Sequence, residues 1–200
     1  MKTLFTGLTS PNKDFIHTPL IEIVPVDDRS ALQRAADHIS NYDYVLFTSR
    51  YAAKYVGKLF AQARQIVSIG STTTAALQQS GIEAMSEVEE DNSYGVIEWF
   101  RHQPCGRVLI PRSNLALPII PEGLRELGFE VECVTAYVNR MPEHAEKVNL
   151  SEVERIVFTS PSTIDNFIRL YGFIPTDKQL ETRGPITEQH LQKRIKQQQL

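Results

Sequence analysis

Residues 44–60 change from a block to a stripe. Tyr44–Phe47 is an unbroken apolar run, Thr48-Ser49-Arg50 interrupts it, and Ala52, Tyr55, Val56 and Leu59 then recur at helical spacing. A short apolar block bounded by polar residues predicts a strand buried on both faces, and the stripe predicts an amphipathic helix. The pattern returns later in the chain. VLFTSRYAAKYVGKLF (45–60) is matched by IVFTSPSTIDNFIRLY (156–171), with Ile164, Phe167, Ile168 and Tyr171 as the second stripe. In each copy a Ser or Thr stands where its oxygen would cap the first free N–H groups of the helix. A second pair follows in the same order, VSIGSTTTAAL (67–77) and ETRGPITEQHL (181–191), which places Gly70 and Gly184 at matching strand-to-helix turns. Two ordered matches at nearly equal offsets predict a duplicated strand–turn–helix unit, and strands alternating with helices predict parallel α/β sheets.

Other segments fit the same plan. Ser30 and Gln33 have capping-box spacing, with Leu32, Ala35, Ala36 and Ile39 as the apolar stripe behind them. Arg107–Pro111 is strand-like. A helix beginning near Pro118 would hold Pro118 and Pro121 in its first turn, where N–H groups lack partners anyway, and would end at Gly128. Residues 130–137 (EVECVTAY) alternate as a strand does, and the Gln-rich tail 193–200 is expected to fray. The extended segments 20–26 and 133–140 flank the first copy. The simplest layout is a middle lobe over 28–133 and a discontinuous terminal lobe from 1–20 with 141–200. Segments 21–27 and 134–140 would be antiparallel linker strands, and a ligand cleft would lie between the lobes.

Composition narrows the function classes. Lys and Arg number 21 against 24 Asp and Glu, a net charge of −3, which argues against a general nucleic-acid or anionic-membrane binder. No apolar stretch approaches the roughly 18 residues of a membrane span. Cys105 and Cys133 lie outside any metal-binding or redox motif, so free thiols in a reducing, cytoplasmic setting are expected. The five histidines lack ligand spacing, and no nucleotide loop or nucleophile elbow is present.

The chemistry-bearing residues collect at strand–turn–helix junctions. Thr48 and Ser49, Gly70 with Ser71, Thr72 and Thr73, Ser160 with Ser162, and Thr187 would all fall at the carboxyl ends of parallel strands. Free N–H groups, hydroxyls and the positive ends of helix dipoles suit carboxylate or phosphate there. Plain helix capping explains any one of them; their repetition on two lobes is what points to an anionic ligand. Arg50 and Arg112 adjoin such junctions and could pair with carboxylates. Tyr94 opens a helix after Asn92-Ser93, and Tyr137 sits in a linker strand.

The ordered set FTSR (47–50), IGSTTTAAL (69–77), NSYGVIEWF (92–100), VLIPRSN (108–114), LRELGFEVECVTAY (124–137), IVFTSPSTIDNF (156–167) and RGPITEQHL (183–191) resembles the uroporphyrinogen-III synthase family. The resemblance implies two flavodoxin- or Rossmann-like parallel-sheet lobes joined by a two-stranded β linker, the first lobe discontinuous. It implies cyclising dehydration of hydroxymethylbilane to uroporphyrinogen III with inversion of ring D, in haem and tetrapyrrole biosynthesis, without cofactor or metal. The family's tyrosine, held to assist departure of the hydroxyl, matches Tyr137; its cleft-lining positions match Thr48, Ser49, Thr72, Thr73, Ser160, Ser162 and Thr187. A monomer acting on a small polycarboxylate, with no nucleic-acid or membrane partner, is the corresponding expectation.

The chain departs from the family pattern at both ends. Gly7 follows Thr6 where the family usually has arginine, and the stretch before Ile21 is too short for the usual helix and strand. The chain also stops soon after Leu191, where the family continues for another strand and helix. A reduced terminal lobe is therefore expected. A degenerate relative, a non-catalytic two-lobed binder of a small polyanion, is the alternative reading.

Overall fold

The computed structural model describes residues 2–84, 86–88 and 90–199. They divide into two compact units, Ile23–Asn139 in the middle of the chain and residues 2–22 with 140–199 from its two ends.

The middle unit holds a six-stranded sheet in the order β3-β8-β7-β4-β5-β6. Its strands are β3 (Glu22–Pro25), β4 (Tyr44–Phe47), β5 (Ile66–Ile69), β6 (Ser86–Val88), β7 (Arg107–Ser113) and β8 (Glu130–Arg140). From β8 through β6 every neighbouring pair is parallel. The apolar block of β4 divides as strand geometry requires: Val45 and Phe47 enter one core, Tyr44 and Leu46 the other. The first core takes Leu32 of α1 (Ser30–Asp37), Ala52 and Val56 of α2 (Arg50–Val56) and Leu77 of α3 (Ser71–Gln79). The second takes Val96 and Phe100 of α4 (Ser93–Arg101) and Leu124 of α5 (Ile119–Glu126). The sheet is therefore covered by helices on both faces, which is why its strands read as continuous apolar runs.

The terminal unit holds a four-stranded parallel sheet, β10-β9-β1-β2: β1 (Thr3–Phe5), β2 (Ile16–His17), β9 (Arg155–Phe158) and β10 (Gln179–Thr182). Both of its helices, α6 (Pro161–Tyr171) and α7 (Pro185–Gln198), feed a single core, with Leu4, Ile156 and Phe158 meeting Ile164, Phe167 and Leu191. Among the described residues the stretch between β1 and β2 holds no helix. The expected loss of the strand is corrected: β2 survives as two residues paired with Leu4 and Phe5.

Two further expectations are corrected, while the strand read over 130–137 joins the extended segment 133–140 as one element. Ser30 does not cap α1; its backbone N–H donates to Asp28 Oδ1 at 2.9 Å, and the Gln33 amide goes to Asp37. The C-terminal tail does not fray, because α7 runs to Gln198, whose side chain accepts from Ile174 N and donates to Ile174 O. The strand expected over 130–137 continues to Arg140, its buried Val134, Ala136 and Tyr137 extending the first core. The duplicated helix starts form as read: Ser49 accepts from Tyr51 N, and Ser160 and Thr163 form a reciprocal capping box.

Several tyrosines are held protonated. Burial, then the hydrogen bond to Glu132, pushes the Tyr42 phenol up to about 12, and burial raises Tyr44, Tyr55, Tyr137 and Tyr171. An acid whose folded pKa is raised favours folding below its unfolded value near 10 and withdraws that support as pH rises through the folded value. Urea midpoints should stay level with respect to these groups through the neutral range and fall above about pH 10, and Tyr42→Phe should blunt the fall. A midpoint that holds steady to pH 12 would contradict this account.

Candidate anion-binding edge and tyrosine site

Parallel strands bring their carboxyl ends to one edge. In the middle unit that edge carries the turns after β4, β5 and β7. A cavity of about 320 Å³ opens there, with Ile69, Ile110 and Ile120 as apolar wall and Thr48, Asp91 and Arg112 as polar groups.

Gly70 makes the turn into α3 with φ +72°, a conformation side chains disfavour. A Cβ there would lie 2.5–2.6 Å from the Asp91 carboxylate, so the glycine is what lets Asp91 sit against the start of α3. Arg112 is fixed by its own loop: its guanidinium donates to Ala116 O and to Leu117 O (3.0 Å), and reaches Cys133 Sγ at 3.8 Å. These contacts occupy three of the guanidinium's five N–H groups, and Arg112 lines the cavity.

Tyr137 lies in β8 beside Ser113, one residue past Arg112. Its phenol donates to Ser49 Oγ at 2.9 Å, and the same oxygen accepts from Tyr51 N, so the phenol is tied to the cap of α2. Burial raises its pKa, only partly offset by the Ser49 hydrogen bond, so the ring remains a proton donor throughout the neutral range. Thr48, which lines the cavity, is the neighbour of Ser49.

The other expected residues separate. Arg50 and Thr72 face a second depression between α2 and α3, shared with Lys54, and the Arg50 guanidinium lies over the Tyr51 ring. Ser71 is exposed and Thr73 is buried in α3. Tyr94 projects from α4 with 73% of its surface open.

At the carboxyl edge of the terminal sheet, Ser160 and Ser162 share a hydroxyl–hydroxyl bond of 2.9 Å. Thr187 is buried, its hydroxyl donated back to Arg183 O at 3.1 Å, which makes it a brace of the first turn of α7. Gly7 approaches Thr159 so closely that a Cβ would meet its side chain at 2.6 Å. The place of the family's arginine is thus closed. Arg183, unremarked in the sequence, lies over the Phe5 ring at 5.1 Å at the end of β1. Asp91 was also missed: its neighbours Asn92-Ser93 read as a cap, and nothing local announces its contact with Gly70.

Among the described residues no group of three potential metal ligands comes together, and no helix is long and apolar enough to cross a membrane. Cys105 and Cys133 are free and exposed.

These features define an α/β protein of two parallel-sheet units, each with hydroxyl-rich helix starts along a carboxyl edge. Residues 13–198 match the family model described as uroporphyrinogen-III synthase HemD, and the chain belongs to that family. It is 28% identical over 193 residues to the porphyrin biosynthesis protein HemD of Ruminiclostridium josui; the match covers 88% of this chain and 38% of that longer relative. Two solved structures share the fold. Uroporphyrinogen-III synthetase from Helicobacter pylori 26695 aligns with a TM-score of 0.69 at 15% identity, over 96% of this chain and 88% of that one. A mutant uroporphyrinogen III synthase from the extremely thermophilic bacterium Thermus thermophilus aligns at 0.65, with the same identity and coverage.

Proposed function

We propose that this chain is a uroporphyrinogen-III synthase, closing hydroxymethylbilane to uroporphyrinogen III with loss of water and inversion of ring D. The observation that carries the reading is Tyr137, a protonated phenol tied to Ser49 at the same sheet edge as the Arg112 cavity. In this reading Tyr137 donates to the departing hydroxyl. Arg112 and Thr48 hold substrate carboxylates in the cavity; Ser49, Gly70, Ser71 and Thr73 shape the edge. Arg50, Thr72 and Tyr94 contact outlying parts of the chain of rings, and Ser160, Ser162 and Thr187 form the edge of the terminal unit. The protein acts as a cytoplasmic monomer on this small polyanion.

Positioning supplies most of the rate: a well-oriented intramolecular attack gains roughly 7–11 kcal/mol. Regiochemistry is the direct readout, because hydroxymethylbilane closes unaided to the symmetric type I ring. Freshly generated substrate, incubated with the protein and then oxidised, should give mostly the type III isomer. Arg112→Gln should shift the product towards type I by raising KM about ten-fold, the worth of one charge-assisted hydrogen bond. Type I alone from folded protein would leave the non-catalytic polyanion binder as the better reading.

A further inference from the structure

Asp91 is a second ionisable group in the cavity of the middle unit, and its chemistry is opposite to that of a carboxylate binder. Its carboxylate sits against Gly70 and lines the same space as Arg112. Among the described residues it has no hydrogen-bond donor and no ion-pair partner. Arg112 does not neutralise it, being held by the carbonyls of Ala116 and Leu117. Nor is Asp91 the cap of α4; Asn92 performs that task, accepting from Tyr94 N and Gly95 N at 2.9 Å. An exposed carboxylate with no protein partner, set beside Arg112 in a cavity proposed to receive an anionic substrate, is placed to meet a ligand group that donates a hydrogen bond or carries positive charge.

A substituted pyrrole has such a group. Its N–H edge is a donor, and its acid side chains leave from the opposite carbons. A volume of about 320 Å³ is at the small end of ligand cavities and suits one ring with its side chains. Asp91 would attract the N–H edge and repel the acid edge, so it selects how the ring enters.

We propose that Asp91 receives the pyrrole N–H of the ring bearing the hydroxymethyl group and stabilises the positive charge that develops on it. The inference rests on the proposed synthase reading. As the C–O bond breaks, the hydroxyl takes a proton and leaves as water. The nitrogen lone pair moves into the ring, giving an exocyclic C=C bond and an N–H-bearing cation. Attack by a ring D carbon forms the new C–C bond, neutralises the first ring and passes the positive charge to ring D, which discharges it by losing a proton, restoring the phenol that protonated the departing hydroxyl. Asp91 remains a carboxylate throughout; its charge is matched to the cation and not to the neutral ring, which favours the transition state over the ground state.

The test is Asp91→Asn, which keeps the shape against Gly70 and removes the charge. Type III formation should lose about ten- to a hundred-fold in kcat, with KM unchanged or lowered, and Asp91→Glu should recover part of the loss. Binding of uroporphyrin III, an octacarboxylate that cannot react, should be as tight or tighter in Asp91→Asn. If the amide disturbs folding, seen as a lowered Tm, Asp91→Ser carries the same comparison. Wild-type kcat in Asp91→Asn, or a loss confined to KM, would overturn the role of Asp91 while leaving the synthase reading intact. Failure of the wild-type protein to make type III ring would overturn both.

Discussion

In the proposed synthase reaction Tyr137→Phe should lower turnover of hydroxymethylbilane by about a hundred-fold, the lower end of what a positioned general acid contributes, and leave the fold in place. The substitution removes one oxygen and keeps the ring, which packs against both Tyr51 and Tyr55. The lost hydrogen bond is the one to Ser49, and Ser49 still accepts from Tyr51 N. A bond of this kind contributes about 0.5–1.5 kcal/mol, which in a chain of this size shifts Tm by only a few degrees, at about 2–4 °C per kcal/mol. Catalysis loses far more, because among the described residues the phenol is the group at this edge that is both buried and kept protonated. The wild-type rate should also fall in alkali as the phenol ionises, above its ordinary value near 10 because burial raises it. Steady-state rates with circular dichroism melts check both halves. Unchanged turnover in a folded variant would leave positioning alone as the source of rate.

Gly70→Ala should destabilise the middle unit and disturb the cavity at its carboxyl edge together. The backbone there has φ +72° and ψ 147°, where an L side chain costs about 1–3 kcal/mol. The added carbon would also fall 2.5 Å from Asp91 Oδ2, so the carboxylate must leave its place. Together these predict a loss of about 2–5 kcal/mol, or a Tm lower by roughly 5–20 °C. Activity should fall further than stability, since the cavity loses its wall and its charge. Gly81→Ala is the control: its φ is also positive, at +76°, but the new carbon would meet nothing within 4 Å. Equal melting temperatures for the two variants would refute the crowding argument.

Much of this was legible before any coordinates. The blocks at 44–47 and 156–158 read as buried strands because both faces of each are covered, and the two FTS turns read as helix starts because serine caps both. Gly70 and Gly184 were legible because no other residue takes those angles readily. What escaped was set by contacts distant in the chain. A two-residue strand such as Ile16–His17 has no periodicity to read and exists through its pairing with β1. The tail 193–198 looks solvated in composition but is pinned by one glutamine to Ile174. The hydroxyls of Thr163 and Thr187 resemble Thr72 in sequence, yet they are buried and spent on backbone oxygens of their own helix starts. Asp91 became visible only once its neighbour in space, Gly70, was known.

The interrupted order of the terminal unit has a consequence for how the chain is made. One side of β1 pairs with β9, and the side-chain bonds that tie them, from Thr6 to Val157 and from Arg155 to Thr3, span 151 and 152 residues. The middle unit, by contrast, is one continuous stretch. During synthesis it can collapse and complete its sheet while the ribosome is still extending the chain. β1 emerges before the middle unit but must wait, with only the two residues of β2 to pair with, until residues 155–158 arrive. Closing so long a loop is slow unless the intervening segment has already been shortened by folding. The middle unit therefore acts as a clamp in time, drawing residues 3–5 and 155–158 within reach of each other, and a strand made before it is completed only after it.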